Sequence, residues 1–169
     1  EYYVSINTTF EEDEMIVAEH HLPGNSDETI VLMAHLDHTG MANDDLSGVA
    51  VGIEVMRRLD ELPDRRYSYK FLIVQEMIGS AAYLEEFPDG ASDFIYGIFL
   101  EMLGNDNRLL LQRTFDGNSK LDDVAERVLE TSISDSEVYG FRSQVGNDEL
   151  ILESPGYEIP TISLLRGPY

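Results

Sequence analysis

The feature that most limits what this chain can become is a series of short, continuously apolar runs. They are TIVLMAHL at 29–36, YKFLIVQ at 69–75, FIYGIFLEML at 94–103 and RLLLQRT at 108–114. Runs of this length without polar alternation fit strands covered on both faces. IPTISLL at 159–165 predicts a last strand, and the more polar YYVSIN at 2–7 and MIVAEHH at 15–21 predict two early ones. Helical patterns lie between the runs. From Ser47, apolar residues recur at Val49, Ile53, Met56 and Leu59, with Asp45 or Ser47 as the N-cap. GSAAYLEEF at 79–87 predicts a short helix, and so does DELILE. Residues 119–133 predict a longer one, with apolar positions Leu121, Val124, Ala125, Val128 and Leu129. Strands alternating with helices predict an α/β fold: a mixed, mainly parallel central sheet with helices on both faces. There is no repeat or linker, so residues 1–169 are expected to form one domain.

Composition narrows the function classes. Apolar residues make up 43% of the chain, enough for a packed core. No apolar run reaches the length of a membrane span. With no cysteine, any metal must be held by His, Asp, Glu or water. Asp plus Glu number 33 against 11 Lys plus Arg, a net charge of -22, and Lys70 and Lys120 are the only lysines. Such a surface repels nucleic acid and anionic membranes, so neither is an expected partner. Adaptation to high salt, a basic partner and functional acids compete to explain it, the last for only a handful of the 33. The chain opens on Glu1 rather than Met, so the expectation is a part processed or excised from a longer protein, in which a targeting segment would be invisible. A cytoplasmic location is expected.

AHLDHTGMANDDLSGVAVG at 34–52 crowds two histidines and three aspartates where a predicted strand gives way to a helix. It is either a metal site or an acidic loop in an acidic protein. The placement of other acids argues for the site. His35 ends one apolar run, Glu76 follows the next, and Glu101 sits near the end of the third. Ligands of open α/β sheets bind outside the carboxyl ends of the strands.

These segments resemble the zinc aminopeptidase family that includes bacterial leucine aminopeptidases, glutamate carboxypeptidases and glutaminyl cyclases. The likeness is greatest to an aminopeptidase-like branch associated with polysaccharide biosynthesis, and it runs from about residue 15 to the end. His35-Leu36-Asp37 is similar to the family's H-x-D, and Asn43-Asp44-Asp45-Leu46-Ser47-Gly48 to its N-D-x-x-S-G. Glu76 before Gly79-Ser80 is similar to the branch's E-x-x-G-S. Glu101-Met102-Leu103-Gly104 resembles a strand-end carboxylate followed by an apolar residue and glycine. The tail GNDELILESPGYEIPTISLL resembles an S-D-x segment, a G-x-x-x-P turn and a strand. The order of the five motifs carries the assignment, since each alone is weak.

The resemblance implies a three-layer exopeptidase-like fold and a role for each residue. His35, Asp44 and Glu101 would hold zinc, and neutral imidazole with carboxylate oxygens suits that metal. Glu76 would be the general base acting on metal-activated water. Asp37 would orient the His35 ring. His38 would be an extra ligand or a contact outside the ligand set, and Asp148, Glu149 and Tyr169 would face the substrate. Each has a plainer reading: a hydrogen-bonded strand-end histidine, a capping or turn aspartate, a solvated acid, an ordinary loop residue. His20 and His21 read as ordinary strand residues.

Two departures from the family pattern matter. The family has two adjacent glutamates, a base and a ligand of a second zinc, where this chain has Gln75-Glu76-Met77. The family's last ligand is a histidine beyond the final strand, and this chain stops at LLRGPY. In the family both residues serve the same metal, so one zinc with Glu76 as base is the expected centre; two metals, with a final histidine beyond Tyr169 in the parent protein, is the alternative. If Glu76 is instead a ligand, Gln75 occupies the base position and hydrolysis is impaired. Glu149 also stands where many relatives carry histidine. The leading expectation is a metal-dependent hydrolase of a peptide or amino-acid amide. A non-catalytic binding module and a glutaminyl-cyclase-like acyl transfer are the alternatives.

Overall fold

A computed structural model describes residues 2–167. Seven strands form one sheet: β1 (Ala18–Leu22), β2 (Thr29–His35), β3 (Ser68–Val74), β4 (Phe94–Glu101), β5 (Arg108–Gln112), β6 (Ser136–Tyr139) and β7 (Thr161–Gly167). Their spatial order is β1-β3-β2-β4-β7-β5-β6. The four central strands β3, β2, β4 and β7 run parallel, and β1 and β5 are antiparallel to their inner neighbours. The expected mixed, mainly parallel sheet is therefore present.

Helices cover both faces. The period-two alternation of a strand divides each apolar run between two cores. Val31 and Met33 pack on one face with Tyr83 and Leu84 of α2 (Ile78–Glu86), Ala91 of α3 (Pro88–Ala91) and Leu152 of α5 (Glu149–Leu152). Leu32 and Ala34 pack on the other with Val49 and Met56 of α1 (Leu46–Asp60). Farther along that second face, Leu129 of α4 (Lys120–Ser132) packs on Leu111 and Ile162. From β2 the chain crosses by α1 to β3, then returns by α2 and α3 to β4 on the other side of β2. The carboxyl ends of β2, β3 and β4 thus flank a switch point, the usual place for a ligand in such a sheet.

Three expectations change. Residues 2–7 form no strand. Among the described residues no regular structure precedes β1, and Tyr2, Tyr3, Val4 and Ile6 are exposed, because no neighbouring strand or face receives them. Along α4, Val124 and Val128 face solvent while Leu121, Ala125 and Leu129, spaced four apart, meet the sheet. β6 was not expected. Its short SEVY run carries little apolar signal and is set by parallel pairing to β5 at the sheet edge. Among the described residues no helix is long and apolar enough to cross a membrane.

Candidate metal centre

His35 is the last residue of β2 and is fully buried, its ring stacked over Phe99 at 6.0 Å. Its Nδ1 lies 3.2 Å from Asp37 Oδ1. Its Nε2 points the other way, 3.3 Å from Glu101 Oε2 and 3.4 Å from Asp44 Oδ1. That nitrogen makes no hydrogen bond, and neither does the Asp44 oxygen facing it, although both atoms are buried. Buried polar atoms are normally paired, so two that face each other unpaired call for an explanation. Nitrogen with its opposite ring atom on a carboxylate, ringed by two further carboxylates, is the donor set of a divalent metal. The residues fit the ion that the motifs imply.

The electrostatics point the same way. Burial alone would lower the His35 pKa, but the carboxylates of Glu101, Asp45 and Asp37 outweigh it and raise it to about 9. The clustered carboxylates thus favour positive charge at the His35 ring.

Asp45 is a site residue that sequence reasoning placed only as a helix cap. It is fully buried. Its Oδ1 accepts from Gly48 N and from Met102 N, both at 2.9 Å, which caps α1 and ties it to the chain after β4. Its Oδ2 has no partner. One ligand atom each from His35, Asp45 and Glu101 lie within 4.8 Å of one another. Burial and the nearby Glu101 charge push the Asp45 carboxyl up to about 8. Gly48 makes this approach possible, since a Cβ there would lie 2.3 Å from Asp45 Oδ2 and 2.5 Å from Leu100 O. Ser47 does not cap the helix. Its hydroxyl donates back to Asn43 O.

Glu76 follows the end of β3. Its backbone N–H donates to Asp37 Oδ2 at 3.0 Å, so one carboxylate holds both the His35 ring and the Glu76 backbone. Glu76 Oε2 is 3.5 Å from His38 Nε2, which is itself 3.6 Å from Asp44 Oδ1. The half-exposed His38 ring stands edge-on to His35, with centroids 4.9 Å apart. Gln75 turns elsewhere, its amide donating to Ile16 O. Met77 has φ 58 and Met102 has φ 44, so each strand-end glutamate precedes a left-handed residue. Such conformations cost roughly 1–3 kcal/mol and cluster at functional sites.

Asp148 and Glu149 are fully buried. Asp148 Oδ1 accepts from Ser80 Oγ and Met77 N, while Oδ2 has no partner. Burial raises its pKa to about 6. Glu149 turns into the core, accepting from Asn147 N and from Gln112 Nε2, and burial raises it to about 7. Asn147 was passed over in the sequence, and its Nδ2 donates to Glu101 Oε2 at 3.1 Å. Nothing in a lone GND triplet separates it from a turn. Tyr169 lies outside the described residues.

A family profile described as "Domain of unknown function (DUF4910)" matches residues 7–169, and the chain belongs to that family. It is 32% identical, over its full length, to a Clostridium acetobutylicum protein named for polysaccharide biosynthesis and an aminopeptidase-like domain. The chain spans 38% of that relative. A crystal structure from the same organism, named as a peptidase, superposes with a TM-score of 0.85 at 32% identity, covering 90% of this chain and 36% of that one. A zinc aminopeptidase from Bacillus subtilis superposes at 0.71 with 18% identity, covering 89% and 39% of the two chains, which shows a shared fold. The expected likeness is found, to the aminopeptidase-like polysaccharide-biosynthesis branch in the Clostridium relative and to the zinc aminopeptidases in fold.

Proposed function

From an aminopeptidase-like fold as the premise, we propose that the chain carries the centre of a metal-dependent hydrolase acting on a peptide or amino-acid amide. The observation that carries this is the buried Nε2 of His35, which makes no hydrogen bond and lies 3.3–3.4 Å from the carboxylates of Glu101 and Asp44. His35, Asp44 and Glu101 would hold one zinc ion. Asp45 lines the same space and adds negative charge. Zinc supplies Lewis acidity toward a carbonyl group and toward water.

The remaining work falls to this chain's own side chains. Asp37 fixes the tautomer and angle of the His35 ring and sets the backbone from which Glu76 projects. Glu76 takes a proton from the attacking water at a carboxylate oxygen and passes it to the leaving amine. Gln75 has no part in this, since its amide is fastened to Ile16. A substrate with a free α-amine suits a pocket so rich in carboxylates.

The test is zinc content after exhaustive dialysis, for this chain and for Asp44→Ala. One zinc per chain, lost in the variant, supports the centre, and a well-folded chain without zinc overturns it. Glu76→Gln should keep the zinc and lower amide hydrolysis by about 10²–10⁴-fold. A second reading is a binding module that keeps the site without turnover. The lone carboxylate at Gln75-Glu76 favours it, and hydrolysis that disappears in Glu76→Gln would remove it.

A further inference from the structure

We propose that Asn147 is a positioning residue for this centre: its side-chain amide holds the Glu101 carboxylate in the orientation that meets the metal. Glu149 in turn holds the backbone of Asn147, and Gln112 holds Glu149. The proposal rests on the metal-centre reading above and extends it to residues that none of the motifs contains as ligands.

The chain of contacts begins far from the centre. Gln112 ends β5 and is fully buried. Its Oε1 accepts from Gln144 N and Val145 N, and its Nε2 donates to Val145 O and to Glu149 Oε1. One side-chain amide therefore satisfies three backbone groups of the loop that precedes α5. Glu149 closes the clamp. Both of its oxygens face Asn147 N, at 3.2 and 3.1 Å. The Asn147 backbone is thus held by Glu149, which Gln112 holds in turn, and its Nδ2 is delivered to Glu101 Oε2 at 3.1 Å.

The chemistry of the donor matters. A lysine or arginine here would pair with Glu101 and satisfy its charge. An amide orients the carboxylate and leaves the negative charge for a cation. The oxygen it holds is also the one 3.3 Å from His35 Nε2, so the amide sets the distance between two proposed ligands. Holding that buried oxygen in place before an ion arrives lowers the ordering cost of metal binding.

The experiment compares zinc affinity and the visible spectrum of the cobalt(II) form for the unsubstituted chain, Asn147→Ala and Asn147→Gln. The metal-free thermal midpoint is measured alongside. Asn147→Ala is expected to weaken zinc about 10- to 100-fold. It should alter the cobalt spectrum and leave the metal-free midpoint nearly unchanged, and Asn147→Gln should restore part of the affinity. Unchanged affinity and spectrum in Asn147→Ala, with zinc bound by the unsubstituted chain, overturns the positioning role and leaves the metal centre standing. A loss of affinity matched by a fall in the metal-free midpoint, without rescue in Asn147→Gln, also overturns it, because the residue would then be structural. If the unsubstituted chain binds no zinc, the metal centre falls and the positioning role falls with it.

Discussion

Asp45 and Asp122 are the same residue type, each buried, each at the start of a helix, and they behave in opposite ways. Asp122 accepts from Thr114 N, Thr114 Oγ1, Ser119 N and Ser119 Oγ, which closes a capping box on α4. Burial would raise its pKa, yet the bonds from Thr114 and Ser119 win and lower it. Asp45 has hydrogen bonds on one oxygen only, and burial and the charge of Glu101 raise its pKa to about 8. A buried carboxylate with both oxygens hydrogen-bonded belongs to the scaffold. One left half-satisfied beside other acids is a candidate for function, here the proposed metal centre.

The comparison can be broken most directly by mutation. Asp122→Ala removes a cap and leaves the Thr114 and Ser119 donors unpaired. It should cost about 3 kcal/mol in chemical denaturation, with or without zinc. A loss below about 1 kcal/mol would contradict the scaffold role. Asp45→Asn should act with the reverse sign on the metal-free chain, because it relieves repulsion with Glu101. That variant should melt no lower than the parent while its zinc affinity falls about 10- to 100-fold. A variant that loses stability without zinc and keeps full zinc affinity would erase the distinction between the two aspartates.

pH gives a finer test. The His35 pKa rises from 6.5 to about 9, so its contribution is full below 6.5 and disappears as pH rises through 9. The Asp45 pKa rises from 3.8 to about 8, so its burial cost is absent below 3.8 and complete above 8. Both signs agree. The metal-free midpoint should fall as pH rises from 6.5 toward 9, and saturating zinc should flatten the slope. Asp122 runs the other way, stabilising above 3.8 and losing that effect as pH drops below it. A metal-free midpoint that rises with pH in the upper range would overturn the charge argument. The smallest expected effect comes from salt. With a net charge of -22, we propose adaptation to high salt, and moving to molar salt should raise the midpoint by a few degrees. An unchanged midpoint would confine the role of the acids to the buried clusters.

Much of this was legible in the sequence because it depends on local pattern. The runs at 29–36, 69–75 and 94–103 became β2, β3 and β4, since covered parallel strands must be apolar on both faces. His35, Glu76 and Glu101 were placed at strand ends by the same pattern, and the structure brings His35 and Glu101 together with Asp44. YYVSIN failed as a strand because alternation is worth nothing without a partner. Asp45 was read as a cap, which it is, but its second role depends on Met102, 57 residues away. Gln112 carried no local signal, and Asn147 lay within the tail motif with no role assigned to it.

The sequence by itself determined the layered α/β sheet and the strand-end position of the acids, because periodicity and strand length act over a few neighbouring residues. Only the tertiary structure decided which buried acid is satisfied and which is not. Hydrogen-bond partners such as Met102 for Asp45, or Asn147 for Glu101, come from distant parts of the chain. The free energy of a buried charge depends on all of them at once.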